Sequence, residues 1–83
     1  MRNLKVGIYS IKDDLAGFMN PFCEHSNEGA ERQLELLCKK DGTLFGLHPE
    51  QFNLFKIGVL DTETGDIDVC MEFVQNGAIY RKE

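Results

Sequence analysis

The chain has 83 residues, 42% of them hydrophobic and 28% charged, with a formal net charge of −5 at pH 7. That is the length of one domain, residues 1–83, with the composition of a folded globular protein, and it excludes a multidomain machine. No apolar run is long enough to span a bilayer, and a net acidic chain cannot bind nucleic acid by bulk charge, only through Lys and Arg gathered on one face.

Leu4, Val6 and Ile8 alternate with Lys5, Gly7 and Tyr9, which predicts a strand over residues 3–11. The alternation begins almost at Met1, so no signal peptide is expected and the chain is expected to stay in the cytoplasm of the cell that makes it. Lys12-Asp13-Asp14 breaks the pattern, and Gly17 to Pro21 reads as a loop, since Pro21 holds Asn20 away from helical angles. Ser26 and Asn27 are good N-cap residues, and Glu28 complements the dipole of the first turn. Ala30, Leu34, Leu37 and Cys38 then share one helical face, and Glu28 with Arg32 and Glu35 with Lys39 are spaced as favourable i,i+4 pairs. Gly42 supplies a stop, so the helix is predicted over residues 27–40.

Leu44-Phe45-Gly46-Leu47 is a short apolar connector, and His48-Pro49-Glu50-Gln51-Phe52 reads as one helical turn opened by Pro49. Phe55, Ile57 and Val59 alternate with Leu54, Lys56 and Gly58, predicting a second strand over residues 53–60. Asp61 to Asp66 forms a tight connection, with Gly65 suited to positive φ. In the third strand Ile67, Val69, Met71 and Phe73 point one way and Asp68, Cys70 and Glu72 the other, the pattern of a half-buried strand. The residues after 74 show no period.

These elements give an α+β fold in the order β-α-β-β: a small three-stranded, mainly antiparallel sheet with one helix packed on one face. The folded core is residues 1–74 and residues 75–83 are a tail. The first strand could neighbour either of the others. A core this thin, in a chain that buries only roughly 60–65% of its unfolded surface, and the open strand edges of a three-stranded sheet lead to the expectation of a homodimer.

No nucleophile elbow, phosphate-binding glycine loop, zinc-protease helix or dinucleotide fingerprint is present, so an enzyme is not expected. Cys23, Cys38 and Cys70 are odd in number and lack paired spacing; they read as reduced thiols, with Cys38 in the core. Cys23-x-His25 is too tight for a structural zinc site, and Asp61-x-Glu63-x-Gly65-Asp66 does not match a calcium loop, so neither metal nor other cofactor is expected. For nucleic acid the candidates are Lys5, Tyr9 and Lys56. If the helix covers Leu4, Val6 and Ile8, these three fall together on the open sheet face, where charge tracks a backbone and a ring stacks a base. Arg2, Lys12, Arg81 and Lys82 could extend the patch. A mixed polar surface is the competing reading, because Asp68 and Glu72 share that face.

Two stretches carry a family resemblance. One is Ile8-Tyr9-Ser10-Ile11-Lys12-Asp13 followed by Gly17-Phe18-Met19-Asn20-Pro21-Phe22. The other runs from Leu44 through His48-Pro49-Glu50-Gln51-Phe52-Asn53-Leu54-Phe55-Lys56-Ile57-Gly58 to Asp61-Thr62-Glu63-Thr64-Gly65. Together they resemble the small non-structural protein of gokushoviruses, a branch of the microvirus phages, over about residues 4–67. The helix departs from the family pattern at Glu35 and Leu36, where an aromatic residue is common, which leaves open which helix face packs. The resemblance implies a DNA-binding protein of single-stranded DNA synthesis or packaging, in the host bacterial cytoplasm, with no family-wide catalytic residues. The acidic charge keeps a second expectation open, an adaptor that binds the phage replication initiator, the capsid assembly or a host replication factor.

Overall fold

The computed structural model describes residues 5–81; Arg2 and Lys82 lie outside that range. The chain runs β1 (Lys5–Asp13), β2 (Gly17–Phe18), β3 (Phe22–Glu24), α1 (Asn27–Cys38), α2 (Leu44–Leu47), a 3₁₀ turn (Pro49–Gln51), β4 (Phe52–Asp61), β5 (Ile67–Asn76) and a last 3₁₀ turn (Gly77–Tyr80). The class is α+β as expected, but the antiparallel sheet has five strands rather than three. Its order is β2-β1-β4-β5, with β3 also paired to β1. β1 therefore neighbours β4, and its outer edge is shared by β2 at Lys12 and Asp13 and by β3 at Gly7 to Tyr9. Of the two added strands, β2 comes from the stretch read as a loop and β3 from the residues between that loop and the helix cap, where the pattern predicts no element. They are too short to show a period, and they form because the polar groups along the edge of a long strand need partners.

α1 begins where its cap predicts. The Ser26 hydroxyl accepts from the Gly29 N–H at 3.1 Å and satisfies one of the free amides of the first turn. The helix ends at Cys38, two residues early, and an i,i+4 ion pair joins Lys39 to Glu35 at 2.7 Å. Ala30, Leu34 and Cys38 are buried along one stripe, while Leu36 is 63% exposed. The stripe rests on Tyr9 and Ile11 of β1 and on Phe52 and Leu54 of β4, with Phe22, Leu37, Phe45, Val74 and Tyr80 packed around them. The rings of Phe45 and Phe52 stack at 4.1 Å.

The covered face is therefore the opposite of the one expected. Tyr9 and Ile11 point to the helix, and Val6 and Ile8 point away. Two local features set this phase. At Gly7 a Cβ would fall 2.6 Å from the Tyr9 ring, so the glycine lets the ring lie back along its own strand beneath α1. There the Tyr9 hydroxyl donates to Asn27 Oδ1 at 2.7 Å. Across the sheet, Ile8 stands opposite Gly58 but Tyr9 opposite Lys56. Ile57 is thus an extra residue, a bulge that shifts the alternation of β4.

The segment after residue 74, read as a tail, is part of the fold through Tyr80. β5 continues to Asn76, whose side-chain amide donates to Asn53 Oδ1 at 2.7 Å and to the Glu50 carbonyl at 3.0 Å, and Tyr80 packs on the core. The His48-Pro49-Glu50 block leads into β4. Pro49 is buried, and a backbone hydrogen bond to the Glu50 carboxylate, helped by its ion pair with Arg81, holds that carboxyl below the usual range.

Burial raises the Tyr9 phenol, with Glu24, Glu28 and Glu72 adding to the shift; it also raises the Cys38 thiol and the Tyr80 phenol. Each folded-state proton is held more tightly than in the unfolded chain. Above the ordinary values, 9.0 for the thiol and 10.0 for the phenols, the unfolded chain loses protons first and stability falls with rising pH. Below them these groups add no slope. The urea midpoint is expected to decline above about pH 9; a midpoint rising through that range would contradict the buried placement of all three.

Candidate nucleic-acid interface

The predicted binding residues separate. Arg2 lies outside the described residues. Lys5 and Lys56 share a face with Tyr9, as expected, but that face is the one carrying the helix. Tyr9 is 1% exposed and bonded to Asn27, so its ring has no free surface to stack a base. Lys5 stands opposite Asp61, and Lys56 opposite Glu72, with Asp68 opposite Val59 alongside. Carboxylates at matched register positions offset the two cations, and the expected basic patch does not assemble there. Arg81 is engaged with Glu50.

Lys12 is placed differently. It pairs with Phe18 of β2 on the uncovered face, its ammonium 5.7 Å from the centre of the Phe18 ring. Phe18 meets Phe55 of β4 edge-to-face at 5.6 Å, and Phe55 meets Phe73 of β5 edge-to-face at 5.8 Å. The three rings form a row across the strands with a cation at one end. Phe18 is 47% and Phe73 58% exposed. Beneath the row Ser10 is buried, its hydroxyl donating to the Met19 carbonyl at 2.7 Å. The sequence reading missed this row because Phe55 and Phe73 belong to apolar alternations that look like core. The signal lay in their register: Phe55 stands opposite Phe73 across the β4–β5 ladder.

The rest of the uncovered face is aliphatic. Val6 and Ile8 of β1, Leu60 of β4, and Ile67, Val69 and Met71 of β5 line it around Gly58, which pairs with Ile8 and Val69. The third strand's apolar row, expected to face the core, therefore points into solvent.

The acidic hairpin turn is organised by its own chain. Asp61 Oδ1 accepts from the amides of Glu63 and Thr64 at 2.9 and 3.2 Å, and Gly65 adopts φ of +82°. Among the described residues no three His, Cys, Asp or Glu side chains converge as a metal site, and no helix is long and apolar enough to cross a membrane.

Fold and site together define a small antiparallel α+β protein with one sheet face under a helix and the other open and apolar. The model of the phage ORF5 protein family matches residues 6–79. The chain belongs to that family and is a phage protein. The match runs past the motifs that suggested a phage relation and takes in β5 and most of the last turn. No curated protein and no solved structure matches it.

Proposed function

We propose that this protein is a non-enzymatic, non-structural protein of gokushovirus-type phages that binds single-stranded DNA in the host cytoplasm and regulates the synthesis or packaging of single-stranded genomes. One observation carries the reading: the Phe18–Phe55–Phe73 row on an open sheet, flanked by Lys12. Bases freed from a duplex stack on exposed rings, and a sheet face that spaces such rings across adjacent strands suits consecutive nucleotides. Duplex DNA, whose bases are already stacked, gains nothing from the row. With one lysine beside it, few phosphates are neutralised, so the salt dependence should be shallow.

Anisotropy of labelled single- and double-stranded oligonucleotides over a salt series tests this. Single strands should bind in preference to duplex, and Phe73→Ala should weaken binding by roughly 5- to 150-fold, since a stacked base contributes about 1–3 kcal/mol. Loss of binding in a Lys5→Ala, Lys56→Ala double variant with Phe73→Ala intact would instead return the site to the helix-bearing face. No binding at low salt would refute direct recognition. The reading then favoured is the protein adaptor, which the −5 charge and the carboxylates opposite Lys5 and Lys56 support; titration of the purified replication initiator would test it.

A further inference from the structure

We propose that the aliphatic half of the open sheet face, centred on Val69, is the contact through which two copies of this chain pack sheet against sheet. The half-face is built from Val6, Ile8, Leu60, Ile67, Val69 and Met71. The last three are 57%, 87% and 61% exposed. Gly58 sits among them and flattens the surface: a Cβ there would meet Ile67 Cγ2 and Ile8 Cδ1, each at 3.5 Å, so the two isoleucines close over the glycine.

Area, charge and shape point to the same occupant. Burying this half-face removes roughly a few hundred Å² of mostly apolar surface per copy, the size at which an exposed patch marks an interaction site. That is the apolar centre of a contact, and the polar rim around it makes up the rest of the roughly 800 Å² per partner of a standard interface. Together with exposed Phe18 and Phe73 it makes the open face one of the large apolar patches that mark interaction sites. The half-face carries no ionisable side chain among the described residues, whereas the chain carries −5. A nucleic acid would need cations there and a basic partner would need carboxylates. A second copy needs neither. Two acidic molecules can meet at low cost only through an uncharged patch that holds their carboxylates apart. Here Asp61, Asp68 and Glu72 project from the reverse side of the sheet, at register positions opposite Lys5, Val59 and Lys56. Two packed sheets, about 10 Å apart, keep these groups near or beyond the Debye length of about 8–10 Å in physiological salt. A two-fold axis through the half-face makes the contact self-complementary. The Phe18–Phe55–Phe73 row continues the same face beyond Met71 and Gly58, and a contact centred on Val69 sits to one side of it. The dimer thus forms through the sheet face rather than the strand edges.

Sedimentation of the full chain at micromolar concentration, without nucleic acid, tests this independently of DNA binding. The native chain should sediment at twice the mass of one chain. Val69→Glu should give a monomer with an unchanged circular dichroism spectrum, since the side chain is solvent-exposed in one copy. Ile67→Lys, of opposite charge, should do the same, while Leu36→Glu on the outer side of α1 should leave the dimer intact. A monomeric native chain, or a Val69→Glu variant that stays paired, overturns the proposal.

Discussion

Replacing Leu34 with alanine is expected to destabilise the chain by about 3 kcal/mol, within the roughly 2–5 kcal/mol seen for buried leucine truncations. Leu34 is wholly buried and is the one large side chain among the three buried residues of α1. Ala30 offers a methyl group and Cys38 a thiol, so most of the apolar area that holds the helix to the sheet belongs to Leu34. The truncation leaves a cavity between α1 and the Tyr9, Ile11 and Leu54 side chains, which the strands cannot close without distorting their ladders. A chain of this length has a total stability of roughly 4–12 kcal/mol, so the loss is a large fraction. The melting temperature should fall by roughly 10–20 °C, read at one protein concentration because association adds to apparent stability. A Leu34→Ala variant that melts within a few degrees of the native chain would show that the helix is held by something other than this stripe.

Gly77→Ala is expected to cost about 2 kcal/mol, although it adds only a methyl group. Gly77 is buried where the end of β5, the lead-in to β4 and the end of α1 meet. A Cβ there would press on the Pro49 carbonyl oxygen and lie 2.8 Å from Cys38 Sγ. None of these neighbours can retreat easily. Pro49 is buried in its turn, the adjacent Glu50 carbonyl is tied to the Asn76 side chain, and Cys38 closes the helix stripe. Overpacking of this kind costs about 1–3 kcal/mol. The double variant with Cys38→Ala should recover little, because the backbone oxygen remains. Urea denaturation of the single and double variants separates the two contacts. Full recovery in the double variant would assign the crowding to the thiol alone.

Much of the secondary structure was legible because it is written in local chemistry. Ser26 caps α1 as its hydroxyl allows, Ala30, Leu34 and Cys38 fall on one stripe, Gly65 takes the positive φ its turn demands, and β4 and β5 pair as a hairpin. The phase of the sheet was not legible. Ile8-Tyr9-Ser10-Ile11 offers an apolar side chain to both faces, and the choice between them is made by Gly7, which gives the Tyr9 ring its space, and by the bulge at Ile57. Both are tertiary effects without a period. The consequence for the site was large. With the phase reversed, Tyr9 is enclosed, Lys5 and Lys56 join carboxylates on the helix-bearing side, and among the described residues only Lys12 of the predicted cations stands on the open face. Alternation on β5 is a true signal of one apolar face, but it does not say whether the chain's own helix covers that face. The last turn, Gly77–Tyr80, went unread because it is anchored by side-chain bonds from Asn76 and by a close approach to Pro49, neither of which leaves a pattern in sequence.

The two short strands beside β1 have a consequence for how the protein behaves when crowded. They make one border of the sheet two strands of only two and three residues, interrupted at Pro21, a residue that has no amide to offer a newcomer. The opposite border, β5, is the long one left available, and its register shifts at Val74 and again between Val69 and Glu72. Open-ended fibre growth by strand addition needs two receptive borders on every molecule. Among the described residues this one has a single long border, and an irregular one, against a short and broken one, so stacking of that kind is opposed. At high concentration the protein is thereby protected from polymerising along its own sheet.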